Sequence, residues 1–135
     1  MISKGALMSW FRKAQRTEIW DEHIQWPMGD IEAAHRIRDI CNRAAESAEK
    51  TGRLADRPGK TNNAYDNERY ERAAKTAMEI AIKISDDLVR DSAVRQIVGL
   101  CMKANSLNTA RILLRGIQAV FIREDVLNDH PILRD

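Results

Sequence analysis

The chain has 135 residues, 44% hydrophobic and 31% charged, too apolar for a wholly disordered chain and without the run of roughly 18 apolar residues that a spanning helix needs. Lys and Arg exceed Asp and Glu by two and the sequence pI is near 8.7, so no large field selects phosphate backbones or acidic membranes. These totals, with no apolar core and cleavage site of a secretory signal at the N-terminus, predict one cytoplasmic domain.

Residues 3–17 are expected to form an amphipathic, basic helix, with Leu7, Trp10, Phe11 and Ala14 on one face and Lys4, Arg12, Lys13 and Arg16 elsewhere. Met8 followed by Ser9-Trp10-Phe11 reads as a natural start. All three tryptophans, Trp10, Trp20 and Trp26, fall within residues 1–26, which read as an aromatic, basic helical arm ahead of a single helical domain over 27–135. Such an arm suits a membrane surface, a partner, its own bundle, or a homodimer formed through Trp10, Phe11 and Trp20.

Asp30 is the expected N-cap of a helix running to about residue 50, with Ile31, Ala34, Ile37, Cys41, Ala44 and Ala48 inward. Residues 51–66 lose the periodicity and gather turn formers, which predicts a long, mobile loop. A helix over 67–85 carries Tyr70, Ala73, Ala77, Ile80, Ala81 and Ile84 inward. Asp91 is the expected cap of the next helix, 92–103, whose Ala93, Val94, Ile97, Val98, Leu100 and Cys101 leave it apolar on more than one side and so sandwiched between neighbours. Asn105 suits a left-handed helix end and Ser106 a cap for a last helix over 107–123, with Leu107, Ala110, Leu113, Leu114, Ile117 and Phe121 inward. Gly116 costs that helix about 1 kcal/mol unless a neighbour approaches closely there. The tail from Asp129 is expected to leave the core. With abundant alanine and no apolar/polar alternation, the fold class is all-α: a compact bundle of four to five helices built from antiparallel helical hairpins.

A shift of 33 residues sets Ala77, Ile80, Ala81, Ile84, Val89, Arg90 and Asp91 against Ala110, Leu113, Leu114, Ile117, Ile122, Arg123 and Glu124. The string Ala93-x3-Ile97-x3-Cys101-x3-Asn105-x4-Ala110-x3-Leu114-x2-Ile117 resembles a degenerate tetratricopeptide-type repeat, departing from it at Val98, beside Gly99, and at Ile117. The resemblance implies stacked helical hairpins whose first helices form the partner surface. It places Ser92, Arg95, Gln96, Gly99, Met102 and Lys103 outward, with Arg95, Gln96, Met102 and Lys103 as the candidate partner-binding residues.

Motifs for chemistry are sparse. Gly59-Lys60-Thr61 lacks the first glycine, the free amide at Pro58 and the preceding strand of a phosphate loop. Glu32-x-x-His35 has no second copy to complete a di-iron site, and His23, His35 and His130 are not at metal-ligand spacing with a cysteine, so neither metal nor cofactor is expected. Cys41 and Cys101 sit at apolar helical positions and read as small buried hydrophobes. Arg111, Arg115 and Arg123, with Arg36, Arg38 and Arg43, would serve a nucleic-acid-binding regulator, but acids interleave them and stacking aromatics are missing from the second half. The expected role is a non-catalytic protein-interaction or regulatory module; an enzyme with a site assembled between helices near His35 is the third reading.

Overall fold

The computed structural model describes residues 18–55 and 64–134, with 54 and 55 as backbone only. The expected helix at 3–17 and Gly59-Lys60-Thr61 therefore lie outside the described residues. Five α-helices pack together: α1 (Asp30–Ala55), α2 (Ala64–Ala81), α3 (Asp87–Lys103), α4 (Leu107–Gly116) and α5 (Val120–Asp129). Short 3-10 turns at Ile19–Asp21 and Pro131–Arg134 flank them, and no strand occurs among the described residues. None of the described helices is long and apolar enough to cross a membrane.

Long-range hydrogen bonds fix the directions of the helices. Ser47 near the end of α1 donates to Asp66 at the start of α2 (2.8 Å), so those two helices run antiparallel. Asp30 at the start of α1 accepts from the amides of Ser85 and Asp86, which lead into α3, while Lys103 at the end of α3 meets Glu49 (3.4 Å), so α1 and α3 run parallel. Asp91 meets Gln118 and Ala119 at the entry to α5, and one turn further along α3 Arg95 reaches Asp125 and Asp129, so α5 also runs with α3.

Helix α3 packs against all four of the others. Its buried Asp91, Ala93, Val94, Ile97, Val98, Leu100 and Cys101 occupy most of its circumference, as expected for a sandwiched helix. Burial of a side chain such as Ile97, with no exposed surface, contributes about 1.5–3 kcal/mol, and the fully buried isoleucines Ile37, Ile40, Ile80 and Ile117 surround it in one core.

Several boundaries differ from the sequence expectation. Helix α1 continues to Ala55 and α2 begins at Ala64, so both ends of the expected 51–66 loop are helical. Its inward stripe is Ala33, Ile37, Ile40, Cys41, Ala44, Ser47 and Ala48, and Ile31 is exposed. Asp30 does not cap its own helix, since its carboxylate is spent on Ser85 and Asp86. The cap of α3 is Asp86, which accepts from the Val89 amide at 2.9 Å. Asp91, expected in that role, is buried in mid-helix and accepts from the amides of Gln118 (3.1 Å) and Ala119 (2.9 Å) instead.

Those two bonds explain why the expected helix over 107–123 is broken. Gln118 and Ala119 give their amides to Asp91 and not to the turn before them, Ile117 takes an extended backbone, and α5 starts afresh at Val120. The restart turns Ile122 and Val126 inward and leaves Phe121 exposed, reversing its expected placement. Asn105 does adopt the left-handed conformation (φ 59°), whereas Ser106 precedes α4 without a capping bond from its side chain. The tail does not leave the core: Leu133 is buried, and Arg111 donates to the Ile132 carbonyl.

Part of the expected N-terminal arm belongs to this core. Trp20 is 4% exposed, its carbonyl accepts from Thr76, and the Arg69 guanidinium lies 5.0 Å from its ring centre. Glu18 takes two hydrogen bonds from Arg69, and Asp21 and Glu22 pair with Arg72 and Arg36. Trp20 is thus enclosed by its own chain and not available for a homodimer contact; Trp10 and Phe11 lie outside the described residues.

Candidate functional site

Beyond its first turn, α3 reaches the surface along one sector. Ser92, Arg95, Gln96, Gly99, Met102 and Lys103 are exposed or half-buried, because the turns of a 3.6-residue helix place them together opposite Ala93, Ile97 and Cys101. Helix α1 forms one bank of this stripe and α5 the other.

Two depressions meet over the middle of the stripe. One, of about 280 Å³, lies against α1 between Arg38, Asn42, Gln96, Gly99 and Lys103, with Cys41 and Leu100 at its base. The other, of about 340 Å³, lies against α5 between Ser92, Arg95, Gln96, Gly99, Asp129 and His130. Gln96 and Gly99 line both, so the two adjoin over α3 and together make up a trough flanked by α1 and α5. A third hollow, lined by Glu49, Gly52, Arg53, Met102, Lys103 and Asn105, extends it toward the end of the helix.

Gly99 shapes the trough. A Cβ placed there would meet nothing within 4 Å, whereas one at Gly52 would overlap the Lys103 carbonyl oxygen. The chain's own packing therefore requires the glycine at 52, where α1 approaches α3, and makes no such demand at 99. A glycine within a helix costs about 1 kcal/mol relative to alanine, and here that cost goes with an open floor between two banks.

The chain matches no family model, no curated protein and no solved structure.

The rim of the trough is polar and held in place. Arg95 donates to Asp125 (3.3 Å) and Asp129 (2.9 Å), which ties the stripe to α5. Lys103 is paired with Glu49 on α1, while Arg38 has no ion-pair partner among the described residues. Cys41 is 9% exposed, and burial, with the neighbouring Cys101 thiol second, pushes its pKa up to about 12. It stays a protonated thiol at neutral pH and is not an activated nucleophile. Burial likewise raises Cys101 and Tyr70, whose hydroxyl bonds with the Cys101 thiol and Ser106. The trough thus offers hydrogen-bond donors and acceptors over an apolar floor, a surface suited to recognition.

The structure brings together all four residues expected at a partner surface, Arg95, Gln96, Met102 and Lys103, along one stripe. The sequence expectation missed the banks: Arg38 and Asn42 on α1, and Asp129 and His130 on α5. An i,i+4 pair such as Arg38 and Asn42 signals a shared helix face, but nothing in the chain states which other helix that face adjoins. The arginines considered for nucleic acid are split. Arg36 is engaged by Glu22 and Arg111 by the Ile132 carbonyl, while Arg38 and Arg43 project from α1 and Arg115 from α4. Glu32 and His35 are exposed, and no group of three His, Cys, Asp or Glu side chains converges among the described residues.

Proposed function

We propose that this protein is a protein-interaction module that works without catalysis in the cytoplasm and takes its partner into the trough over α3. The observation that carries the reading is Gly99, a helix glycine that no neighbour in the chain requires, shared by the two hollows that adjoin over α3. Its missing side chain lets a partner's backbone or helix approach α3 closely, as glycine commonly does where two backbones meet. Arg38, Asn42, Gln96 and Lys103 on one side and His130 on the other supply the directional contacts that fix such a partner's register. Two buried, unpaired thiols suit a reducing compartment.

A tetratricopeptide-like arrangement is part of the proposal. It is supported by the connections after α2 and α4, which fall at equivalent places under the 33-residue shift, and by the burial of Ala77, Ile80, Ala81 and Ile84 alongside Ala110, Leu114 and Ile117.

Gly99 is also the best probe. Charge reversal at Arg95 would set a new carboxylate beside Asp125 and Asp129 and disturb the bank itself. Gly99→Trp fills the floor from a position with free space, and Gly99→Ala adds one methyl. A tagged Gly99→Ala protein should capture the same proteins from an extract of the source cells as the parent, and Gly99→Trp should lose them while melting within a few degrees of it. Equal capture by the Trp variant would remove the trough as the binding surface.

A further inference from the structure

A second groove lies on another side of α3, between α2 and α4. Ile97 and Cys101 form its base, Ala74 and Met78 one wall and Leu113 the other, and it encloses about 340 Å³. Ala74, Met78 and Leu113 are only partly covered by the chain. An apolar cavity of about 150 Å³ admits one benzene ring, so this groove has room for two aromatic side chains.

We propose that the N-terminal segment, residues 1–17, is the occupant of this groove, with Trp10 and Phe11 seated against Met78 and Leu113. Three observations favour this segment over other occupants. The first is reach. Glu18 is clamped to Arg69 by bonds of 2.8 and 3.1 Å, and the next residue on α2, Tyr70, lines the groove. Passing round α2 to its other flank takes about 16 Å, half the circumference of a helix about 10 Å across. At about 3.3 Å per extended residue, five residues cover that path and leave Leu7, Trp10 and Phe11 free to enter.

The second is apolar pattern. Leu7, Trp10 and Phe11 recur at a spacing of three and four, which presents one side of a helical turn to an apolar slot. The third is charge. Residues 1–17 hold four basic side chains and no acidic one, which leaves 18 basic and 20 acidic residues in the rest of the chain. The small positive net charge is thus a basic segment joined to a mildly acidic body. The groove carries Glu71 beside Lys75, and in the trough Arg95 and Lys103 are paired with Asp125, Asp129 and Glu49, so charge draws the segment to the body as a whole and the apolar walls select the groove. This inference is independent of the binding role proposed for α3.

The test uses the full chain with Ser9→Cys combined with Thr109→Cys on the wall of the groove, or with Asn42→Cys in the trough. Cys41 and Cys101 are buried and do not compete for reagent. A short bismaleimide should join Ser9→Cys to Thr109→Cys within one chain, mapped by mass spectrometry, and leave the Asn42→Cys pair open. In parallel, Trp10→Ala with Phe11→Ala should speed amide exchange at residues 74–78 and 109–114 at least tenfold. Equal joining at Asn42→Cys, joining only between chains, or no joining with unchanged exchange overturns the proposal. So does association of the segment with phosphatidylserine vesicles that leaves exchange in the groove unaltered.

Discussion

Asp91 is the residue on which the last third of the fold turns, and Asp91→Ala tests that directly. Its side chain is 1% exposed and its Oδ2 accepts from both Gln118 and Ala119, the two amides at the entry to α5. A hydrogen bond to a charged acceptor contributes about 1.5–3 kcal/mol, so two of them bound the loss at about 3–6 kcal/mol. Gln118 is exposed, and water can reach its amide once the carboxylate is gone, which places the expected loss near the lower end, about 3 kcal/mol. Asp91→Asn keeps an acceptor oxygen without its charge and should lose about half as much. Urea unfolding followed by circular dichroism reads the difference. With a slope of about 2 kcal/mol per molar, the midpoint of Asp91→Ala should fall by about 1.5 M with little change in slope. Amide exchange in Val120–Asp129 should accelerate before the rest of the core, and with it the hold of Asp125 and Asp129 on Arg95 should weaken. A loss below about 0.5 kcal/mol would mean instead that α5 is positioned without its long-range cap.

The two internal glycines should respond with opposite sign. Gly99→Ala should raise stability by about 0.5–1 kcal/mol, since its Cβ meets open space, while Gly52→Ala should lower it by about 1–3 kcal/mol through overlap with the Lys103 carbonyl; thermal melting of the pair decides. Asp30 should confer acid sensitivity. The amides of Ser85, first, and Asp86 hold its pKa below the ordinary 3.8, so its contribution is complete above that value and is lost as pH falls through the lowered folded value. The stability gap between the parent and Asp30→Asn should therefore close on acidification, and a gap that widened would reverse the assignment. Native protein treated with iodoacetamide at mildly alkaline pH should keep both thiols unmodified, and denatured protein should lose both, because burial raises Cys41 to about 12 and Cys101 in the same direction. Rapid native labelling would contradict their placement in the core.

Much of the architecture is legible in the chain because it rests on local periodicity. The stripes of Ile37 to Ala48 and Tyr70 to Ile80 are buried, α3 is enclosed where Ala93 to Cys101 run apolar on several sides, and Asn105 turns left-handed at a helix end. What misleads is polar side chains whose partners are far away. Asp30 and Asp91 each have the residue type and position of a local cap, yet they bind amides 55 and 27 residues distant. A cap read from spacing assumes the nearest free amides are the ones served. That assumption fails where a neighbouring helix begins beside the carboxylate. The break at Ile117 follows from the same bond, and Gly116, which marks it, reads equally as a close approach of a neighbour. In the candidate site the stripe on α3 is visible from helical spacing, but its banks on α1 and α5 come from tertiary packing, which the spacing does not encode.

Hydroxyl-radical footprinting of the parent protein, with and without a partner captured by it and not by Gly99→Trp, decides whether that partner sits over Gly99 between α1 and α5. Met102, His130 and Gln96 along the trough should be protected, with Met78 and Leu113 between α2 and α4 unchanged. Protection confined to Met78 and Leu113, or to Phe121 and Ile132 on the outer surface of the last helices, would contradict that placement.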